Sequence, residues 1–473
     1  MSLDPEPLTI LAPATHRELG RVPVTPAGEV AERVARAKAA QPAWAARRAG
    51  ERADIIEGAA RLIERNGEDW ALLLAEESGK ILAQARFELR FASALARGNA
   101  ERLRAMAGEL LPTESLESTA DDVAWVRRVP LGVVAAVLPF NFPVELLIEK
   151  AAAALAMGNA VVVKPPDQDP LAVLAVVGAF HEAGVPADVL SVATGDRATG
   201  AALCADRRLA AVSLTGSTRA GLGVAASPVL RRLHLELGGN DAAILCADAD
   251  LDAAVPELVF GRTLMNGQAC ASNKRILVHR SIAAELVERL SASVARIRVG
   301  DPLDPACGMG PLISAAAASR VAAQVAHAVG QGAALAWGTG RPDRSFFAPC
   351  VLADVPAASD VARDDEIFGP VLACIPFGSE EEAIAIANQS SYGLSGCVFS
   401  RDWARGVRIA DRMECGGAVV NGTGNYRPPF VPFGGVKESG LGREGLGFTM
   451  TEMSQPKYTV LRRIRRRGQE GTT

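Results

Sequence analysis

Cys270 lies in a loop of small residues, within the segment NGQACASNKRILVHR. A structural cysteine usually sits inside an apolar run, where it behaves as a small hydrophobic residue. Here Ala269 and Ala271 flank the cysteine, and the pattern of a buried strand begins only at Arg275. A thiol that is open to approach in this way can act as a nucleophile, so Cys270 is the first candidate for covalent catalysis.

Two further side chains could support such a nucleophile. Glu236 ends an apolar strand pattern in LHLELGGN, where partial burial would raise the pKa of its carboxyl group and suit it to general-base work. Asn141 lies between two aromatic residues in LPFNFPVE, where its amide could donate a hydrogen bond to a developing oxyanion. A salt-bridged glutamate at a sheet edge and an ordinary turn asparagine are the alternatives.

Polar residues at the ends of two other strands suggest a dinucleotide site. Lys164 follows the buried-strand pattern in VVVKPPD, at the edge where parallel sheets bind ligands, and Asp167 could accept a hydrogen bond from a ribose hydroxyl. In SLTGSTRAG, Gly216 permits a tight turn into a helix whose N-terminus, at Ser217, can face a phosphate. A plain capped turn explains this segment equally well, and no G-x-G-x-x-G fingerprint joins a first strand to a first helix.

The hydrophobic pattern of the chain that carries these side chains changes twice along its length. Residues from about 28 to 108 repeat apolar positions at three and four, which predicts helices. An extended arm near 120–130 precedes alternating strand and helix patterns, in which the valines at 161–163 are apolar on both faces. Such strands are typical of a parallel sheet covered by helices on both sides. A second α/β segment begins near 240, with a helix predicted over DLDAAVPELVFGRTLMNG before the strand that follows Cys270. The sequence therefore predicts an α/β fold with doubly wound sheets.

Length, composition and net charge limit the classes of protein to which this chain can belong. The 473 residues are too many for one compact core, and 49% hydrophobic with 22% charged residues is ordinary for a soluble globular protein. The net charge of −4 gives no indication of nucleic-acid binding. The absence of a signal segment and of long apolar runs predicts no membrane partner and a cytoplasmic location.

Cysteine and histidine spacing argues against disulfides and metals. The eight cysteines are scattered, without C-x-x-C spacing, which predicts free thiols. The five histidines are also scattered, so no metal site is expected.

Seven motifs occur in the order that is known from one family. They are PFNFP, KPPD, LTGS, LELGGN, GQAC, EIFGP and PFGGVKESGLGREG. Their order resembles that of the NAD(P)-dependent aldehyde dehydrogenase superfamily, over nearly the whole chain. The resemblance implies oxidation of an aldehyde to a carboxylic acid, with a thioester on cysteine and hydride transfer to nicotinamide.

The resemblance also implies roles for individual residues. Cys270 would be the nucleophile, Asn141 would help to hold the oxyanion, and Glu236 would activate the hydrolytic water. Lys164 and Asp167 would hold the adenosine ribose, and the cofactor would be NAD, or NADP, since a carboxylate at 167 repels a 2′-phosphate. The residues assigned to cofactor binding are Phe140, Lys164, Asp167, Gly216, Ser217, Glu366 and Phe368.

Three structural parts follow from the same resemblance. A cofactor-binding domain would span 1–117 and 135–236, and a catalytic domain would span 237–450. A small β element for oligomerisation would combine 118–134 with 451–473. A homodimer or homotetramer is therefore expected.

The substrate pocket is less clearly indicated. Glu145 and Glu149 share a helix face near Asn141 and could favour a cationic aminoaldehyde, unless they pair with Lys150 or an arginine. Arg427, in GTGNYRPPF, could instead bind an anionic tail or pair with Glu145, which would leave a neutral polar pocket. This loop resembles those of lactaldehyde- and glyceraldehyde-type members of the family, which implies a small polar or aliphatic aldehyde.

Two other functions compete with this interpretation. A CoA-acylating relative would transfer the acyl group to a thiol, but the presence of Glu236 favours hydrolysis. A catalytically silent structural protein on the same fold would be expected to lack Cys270, Glu236 or Asn141, and all three are present.

Overall fold

The structure is a computed structural model that describes residues 6–463. Its first part is a β-hairpin, which the sequence pattern did not predict, followed by the predicted helices. The long helix at 82–104 packs along the helix at 49–65. The elements are β1 (Leu8–Leu11), β2 (Glu18–Val22), α1 (Ala27–Ala45), α2 (Ala49–Arg65), α3 (Gly67–Ser78) and α4 (Leu82–Arg104).

The next part alternates strands and helices, as predicted. A π-helical turn at Ile148–Ala152 joins two short α-helices into one continuous helical stretch. The elements are β3 (Glu109–Leu111), β4 (Val123–Pro130), β5 (Val133–Val137), α5 (Pro143–Leu147), α6 (Ala153–Ala156), β6 (Ala160–Lys164), α7 (Leu171–Glu182), β7 (Leu190–Val192), α8 (Arg197–Ala205), β8 (Ala211–Thr215), α9 (Thr218–Ala225) and β9 (Arg232–Glu236).

A second α/β region follows, again as predicted from about residue 240. Its elements are β10 (Ala242–Leu245), α10 (Leu251–Thr263), β11 (Arg275–His279), α11 (Ala283–Val294), α12 (Ala315–Gly330), β12 (Ala334–Trp337), β13 (Pro342–Asp343), β14 (Phe346–Phe347), β15 (Cys350–Ala353), α13 (Asp360–Arg363), β16 (Val371–Phe377), α14 (Glu380–Asn388), β17 (Tyr392–Gly393), β18 (Ser395–Phe399), α15 (Trp403–Ala410) and β19 (Gly417–Val420). The chain ends with β20 (Val436–Lys437), β21 (Gly440–Leu441), α16 (Phe448–Glu452) and β22 (Ser454–Leu461).

The first large sheet has the strand order β21-β9-β8-β5-β6-β7. The five strands from β9 to β7 are parallel, and β21 pairs antiparallel with β9. The ligand-binding edge of a parallel sheet lies at the carboxyl ends of its strands. Four of these ends carry the residues Val137, Lys164, Thr215 and Glu236.

The second large sheet has the order β12-β15-β16-β11-β10-β18-β19. Alternate residues of its strands fall into two separate apolar clusters, with Ile244 and Leu277 in one and Ala243 and Ile276 in the other. This alternation places helices on both faces, as in a doubly wound sheet. The prediction of parallel sheets is confirmed except at one edge strand of each sheet, since β12 is antiparallel to β15.

A third, three-stranded sheet has the order β22-β4-β3. The predicted arm and the last strand pair antiparallel along their whole length, from Ser454 with Pro130 to Leu461 with Val123. The part of the predicted oligomerisation element beyond residue 463 lies outside the described residues. Between residues 6 and 463, no helix is long and apolar enough to cross a membrane.

Candidate active site

A cavity of about 480 Å³ opens at the carboxyl ends of β5, β6, β8 and β9. The structure brings all ten predicted catalytic and cofactor residues to its wall. They are Phe140, Asn141, Lys164, Asp167, Gly216, Ser217, Glu236, Cys270, Glu366 and Phe368.

Hydrogen bonds to distant parts of the chain fix the turn that precedes Cys270. After α10 the chain makes a turn at Leu264–Gly267, in which Met265 and Asn266 have left-handed φ values of 50° and 56°. The buried amide of Asn266 donates to the carbonyls of Gly79 and Pro311, at 2.9 and 2.7 Å. These hydrogen bonds stabilise a backbone conformation that is unfavourable for residues with a Cβ atom. The sequence pattern had predicted a helix through this turn.

Cys270 and Glu236 influence each other's ionisation. Burial raises the pKa of the Cys270 thiol well above its usual value, and the Glu236 carboxylate raises it further. Burial also raises the pKa of Glu236 to about 7, with a further contribution from the charge of Glu444. One carboxyl oxygen of Glu236, Oε1, is buried without a hydrogen-bond partner among the described residues. At neutral pH the pair therefore consists of a protonated thiol beside a carboxyl group that can accept its proton.

Asn141 is held in place by its surroundings. Its Nδ2 donates to the carbonyl of Gln268 at 3.0 Å, and its Oδ1 accepts from the N–H of Phe142 at 3.1 Å. Its backbone carbonyl accepts from the ammonium of Lys80 at 2.8 Å, and Lys80 forms a buried ion pair with Glu88. The amide nitrogen has two N–H groups, so one is left to donate into the cavity.

The cofactor side of the cavity is suited to a polar ligand. Lys164 is 7% exposed, and its ammonium makes no hydrogen bond or ion pair within residues 6–463. Burial lowers the pKa of this ammonium, while Asp167 and Asp196 oppose this effect. The hydroxyl Oγ1 of Thr215 is buried without a hydrogen-bond partner in the described part of the chain. Unsatisfied buried polar groups are costly, so these atoms fit a site that a polar group of a nucleotide would complete. The side chain of Ser217 caps α9 by accepting from the N–H of Ala220.

The aromatic residues Phe140 and Phe368 face each other across this region. Their rings meet edge-to-face with centroids 6.0 Å apart. A second cavity of about 350 Å³ continues past Lys164 and Leu214, between α8 and α9, where Gly200 and Ala201 leave room. The two cavities share Val137, Lys164, Leu214 and Ala220 in their walls, so together they leave room for an extended ligand. Among the described residues, no cluster of His, Cys, Asp and Glu is arranged to hold a metal ion, and all eight cysteines are free thiols.

Lys274 is a buried residue of this site that the sequence analysis missed. Its ammonium donates to the backbone carbonyl of Cys270 and pairs with Glu366 Oε1 at 3.1 Å. It also lies 5.9 Å from the ring centroid of Phe368. The available signal was a lysine placed just before a strand that is buried on both faces, where an unpaired charge would be costly.

Glu145 and Arg427 do not line the cavity that holds the cofactor residues. They pair with each other, at 3.3 Å between Arg427 Nη1 and Glu145 Oε1. Lys150 pairs with Glu444 at 2.7 Å instead of with Glu145 or Glu149. Of the two uses that the sequence allowed for Arg427, the structure shows the ion pair with Glu145.

Comparison with known proteins identifies the family. The family model described as "Aldehyde dehydrogenase family" matches residues 2–459. Glutarate-semialdehyde dehydrogenase of Pseudomonas putida is 36% identical over 457 residues, which cover 96% of this chain and 94% of the relative. Vanillin dehydrogenase of Amycolatopsis sp. is 39% identical over 436 residues, which cover 92% and 88%.

Solved structures agree with this assignment. NADP-dependent glyceraldehyde-3-phosphate dehydrogenase from Bacillus halodurans C-125, complexed with NADP, superposes with a TM-score of 0.94 at 34% identity, covering 97% of this chain and 96% of the other. Membership of one family therefore accounts for the fold, the cleft and the motifs. The chain belongs to the aldehyde dehydrogenase family and is an oxidoreductase that oxidises aldehydes with NAD(P).

Proposed function

We propose that Cys270 is the nucleophile of a hydrolytic aldehyde dehydrogenase, with Glu236 as its base and Asn141 as its oxyanion donor. One observation carries the proposal: these three side chains meet in the same cavity as the seven predicted cofactor residues. The raised pKa of the thiol explains why a base is needed beside it.

In the first step, the sulfur of Cys270 forms a bond to the aldehyde carbon, and the thiol proton passes to Glu236. The carbonyl oxygen becomes an oxyanion, which the amide of Asn141 and the backbone N–H of Cys270 stabilise. NAD(P), when bound, accepts the hydride that leaves this carbon. The carbon then remains attached to Cys270 as a thioester.

Before the second step, Glu236 releases the thiol proton to solvent. Glu236 then removes a proton from a water molecule that attacks the thioester carbon, and this proton passes to the departing sulfur. The C–S bond breaks, which releases the carboxylic acid and regenerates the thiol of Cys270. Glu236 suits this work because its raised pKa, about 7, lies close to the working pH. Its unpaired buried oxygen Oε1 is available to accept the water proton.

On the cofactor side, Lys164 and Asp167 would hold the adenosine ribose, and Gly216 and Ser217 would bind the pyrophosphate. Glu366, Phe368 and Phe140 would hold the nicotinamide riboside. We propose a preference for NAD, since the carboxylate of Asp167 repels a phosphate on the ribose.

Replacing Asp167 by alanine is expected to improve kcat/KM for NADP relative to NAD by about 5- to 10-fold, because one like-charge repulsion of ~1 kcal/mol disappears. Steady-state kinetics with both cofactors at a fixed aldehyde concentration measures this ratio. Asp69→Ala, at an exposed position of α3, is the matched control and should not change it. An unchanged ratio in Asp167→Ala would remove Asp167 from the ribose site.

Replacing Lys274 by methionine is expected to raise the KM for NAD by about 10-fold or more, because Glu366 loses its buried cationic partner and its fixed position. Titration of NAD binding by fluorescence separates this effect from a change in kcat. The control is Lys437→Met, which removes the partly exposed Lys437–Glu414 pair and should have little effect. Wild-type NAD affinity in Lys274→Met would contradict a role in cofactor positioning.

We propose the domain division that the sequence predicts, with a cofactor domain at 1–117 and 135–236 and a catalytic domain at 237–450. The edge strand β21 is contributed by the catalytic segment to the cofactor sheet, which ties the two together. The exposed strand β22 supports homo-oligomer formation, since Tyr458 is 72% exposed on an edge strand. The cytoplasmic location stays a prediction from the sequence.

The physiological substrate that we propose is a small polar or aliphatic aldehyde. Two of the relatives are named for glutarate semialdehyde and for vanillin. These two aldehydes differ in charge and shape, so the names of the relatives favour no single substrate. NADH formation across aliphatic, aromatic, ω-amino, ω-carboxy and hydroxy aldehydes tests the function. Turnover without CoA supports hydrolysis, a strict CoA requirement would identify an acylating enzyme, and silence with NAD and NADP would indicate a structural protein.

A further inference from the structure

The guanidinium of Arg427 is shared between two carboxylates. Its Nη1 lies 3.3 Å from Glu145 and its Nη2 lies 2.5 Å from Glu444. Its planar face lies 4.2 Å above the ring centroid of Phe433. Both terminal nitrogens that would clamp a carboxylate of a substrate are therefore already engaged.

This guanidinium lies near the catalytic thiol but outside the cofactor cavity. Phe433, on which it stacks, packs in one small apolar cluster with Ala271, Leu394 and Cys270. The charge of Arg427 is close enough to lower the pKa of Cys270, although burial has the larger, opposite effect. Because Arg427 packs on Phe433 beside Cys270 and does not line the cavity of the cofactor residues, it lies on a different side of the thiol from that cavity.

Within residues 6–463, the charged side chains around Arg427 include no unpaired cation. Lys150, which is fully buried, pairs with the second oxygen of Glu444 at 2.7 Å. Glu149 accepts hydrogen bonds from the N–H of Gly445 and the hydroxyl of Thr449. Two cations thus face three carboxyl groups, so an anionic group that arrived here would meet no uncompensated positive charge.

We propose that Glu145 is a specificity-determining residue, which neutralises Arg427 so that the site selects uncharged aldehydes over aldehydes with an ω-carboxylate. This inference rests on the proposed function of Cys270, and it names the substrate class of the same site. It follows from the ion pair, since a bound ω-carboxylate would have to displace Glu145 or Glu444 from the guanidinium.

The two carboxylates differ in how firmly they are held. Glu444 is 1% exposed and is bound by both Lys150 and Arg427. The carboxylate of Glu145 makes no other ion pair or side-chain hydrogen bond within the described part of the chain, and its distance to Arg427 is longer. Removing the charge of Glu145 therefore frees one end of Arg427 and leaves the Lys150–Glu444 pair in place.

The test compares kcat/KM for butanal and for succinate semialdehyde, two aldehydes of equal carbon number that differ by one carboxylate. Burial raises the pKa of Glu145 to about 7, so the assay is run at about pH 8, where the carboxylate is ionised. The wild-type enzyme is expected to prefer butanal by about 10-fold or more. In Glu145→Gln the ratio is expected to shift toward succinate semialdehyde by about 10-fold, because one end of the Arg427 guanidinium loses its carboxylate partner and becomes free to bind the ω-carboxylate.

Two further variants make the result specific. Glu145→Asp keeps the carboxylate and should keep most of the wild-type preference, whereas Glu32→Gln, at an exposed position of α1, should leave the ratio unchanged. A wild-type preference for succinate semialdehyde, or an unchanged ratio in Glu145→Gln, would overturn the inference while NADH formation still supports the proposed function. Absence of NADH with every aldehyde would overturn both.

Discussion

Replacing Cys270 by alanine is expected to abolish aldehyde oxidation, lowering kcat by roughly 10⁴-fold or more, while NAD binding persists. The reason is that no other cysteine lies in the cavity with Glu236 and Asn141 among the residues that the structure describes. Without the sulfur, the aldehyde carbon cannot be held in the tetrahedral form from which hydride leaves. NADH formation measures the loss, and a titration of NAD binding shows that the fold is intact.

Cys415 provides the matched control. It is also a partly exposed free thiol, but it lies outside the cavity. Cys415→Ala should therefore retain activity, and alkylation that is blocked by NAD or aldehyde should map to Cys270 alone. Turnover that survives in Cys270→Ala would refute the assignment of the nucleophile.

Replacing Glu236 by glutamine is expected to lower kcat by roughly 10²- to 10⁴-fold, the range that is typical for loss of a general base. Glutamine occupies nearly the same volume, so the loss reports the missing proton acceptor and not a cavity. Because Glu236 acts as its carboxylate and burial raises its pKa to about 7, wild-type activity should fall as the pH is lowered through this value.

The pH profile separates a chemical role of Glu236 from a structural one. In Glu236→Gln the residual rate should lose the inflection near pH 7, since that group no longer titrates. A variant that keeps either the wild-type rate or the wild-type inflection would transfer the role of base to another residue.

The main parts of the fold and site could be predicted from the sequence because they depend on local patterns. Runs such as the valines at 161–163 reveal a strand that is covered on both faces, and Lys164 and Glu236 directly follow such runs. The carboxyl ends of parallel strands meet at one edge, so these residues were expected to lie together. The resemblance of the motifs to those of the family then implied that Cys270 and Glu366 belong to the same site as Lys164 and Glu236.

The remaining features depend on contacts between distant parts of the chain. No local pattern shows that Lys274 pairs with Glu366, or that Arg427 lies between Glu145 and Glu444. The left-handed turn before Cys270 is likewise stabilised by carbonyls of Gly79 and Pro311, which lie far away in sequence. Tertiary contacts of this kind override the helical propensity of the segment.

The most direct test of the account is mass spectrometry of Glu236→Gln after incubation with aldehyde and NAD and an acid quench. Glu236→Gln removes the base from both steps, so a long incubation is used, in which the thiol of Cys270 can lose its proton to solvent. Hydrolysis still lacks its base, so the acylated enzyme should accumulate, with about one NADH released per subunit. The account predicts a peptide that carries the acyl mass on Cys270. An acyl group on another residue, or NADH release with no covalent adduct, would contradict it.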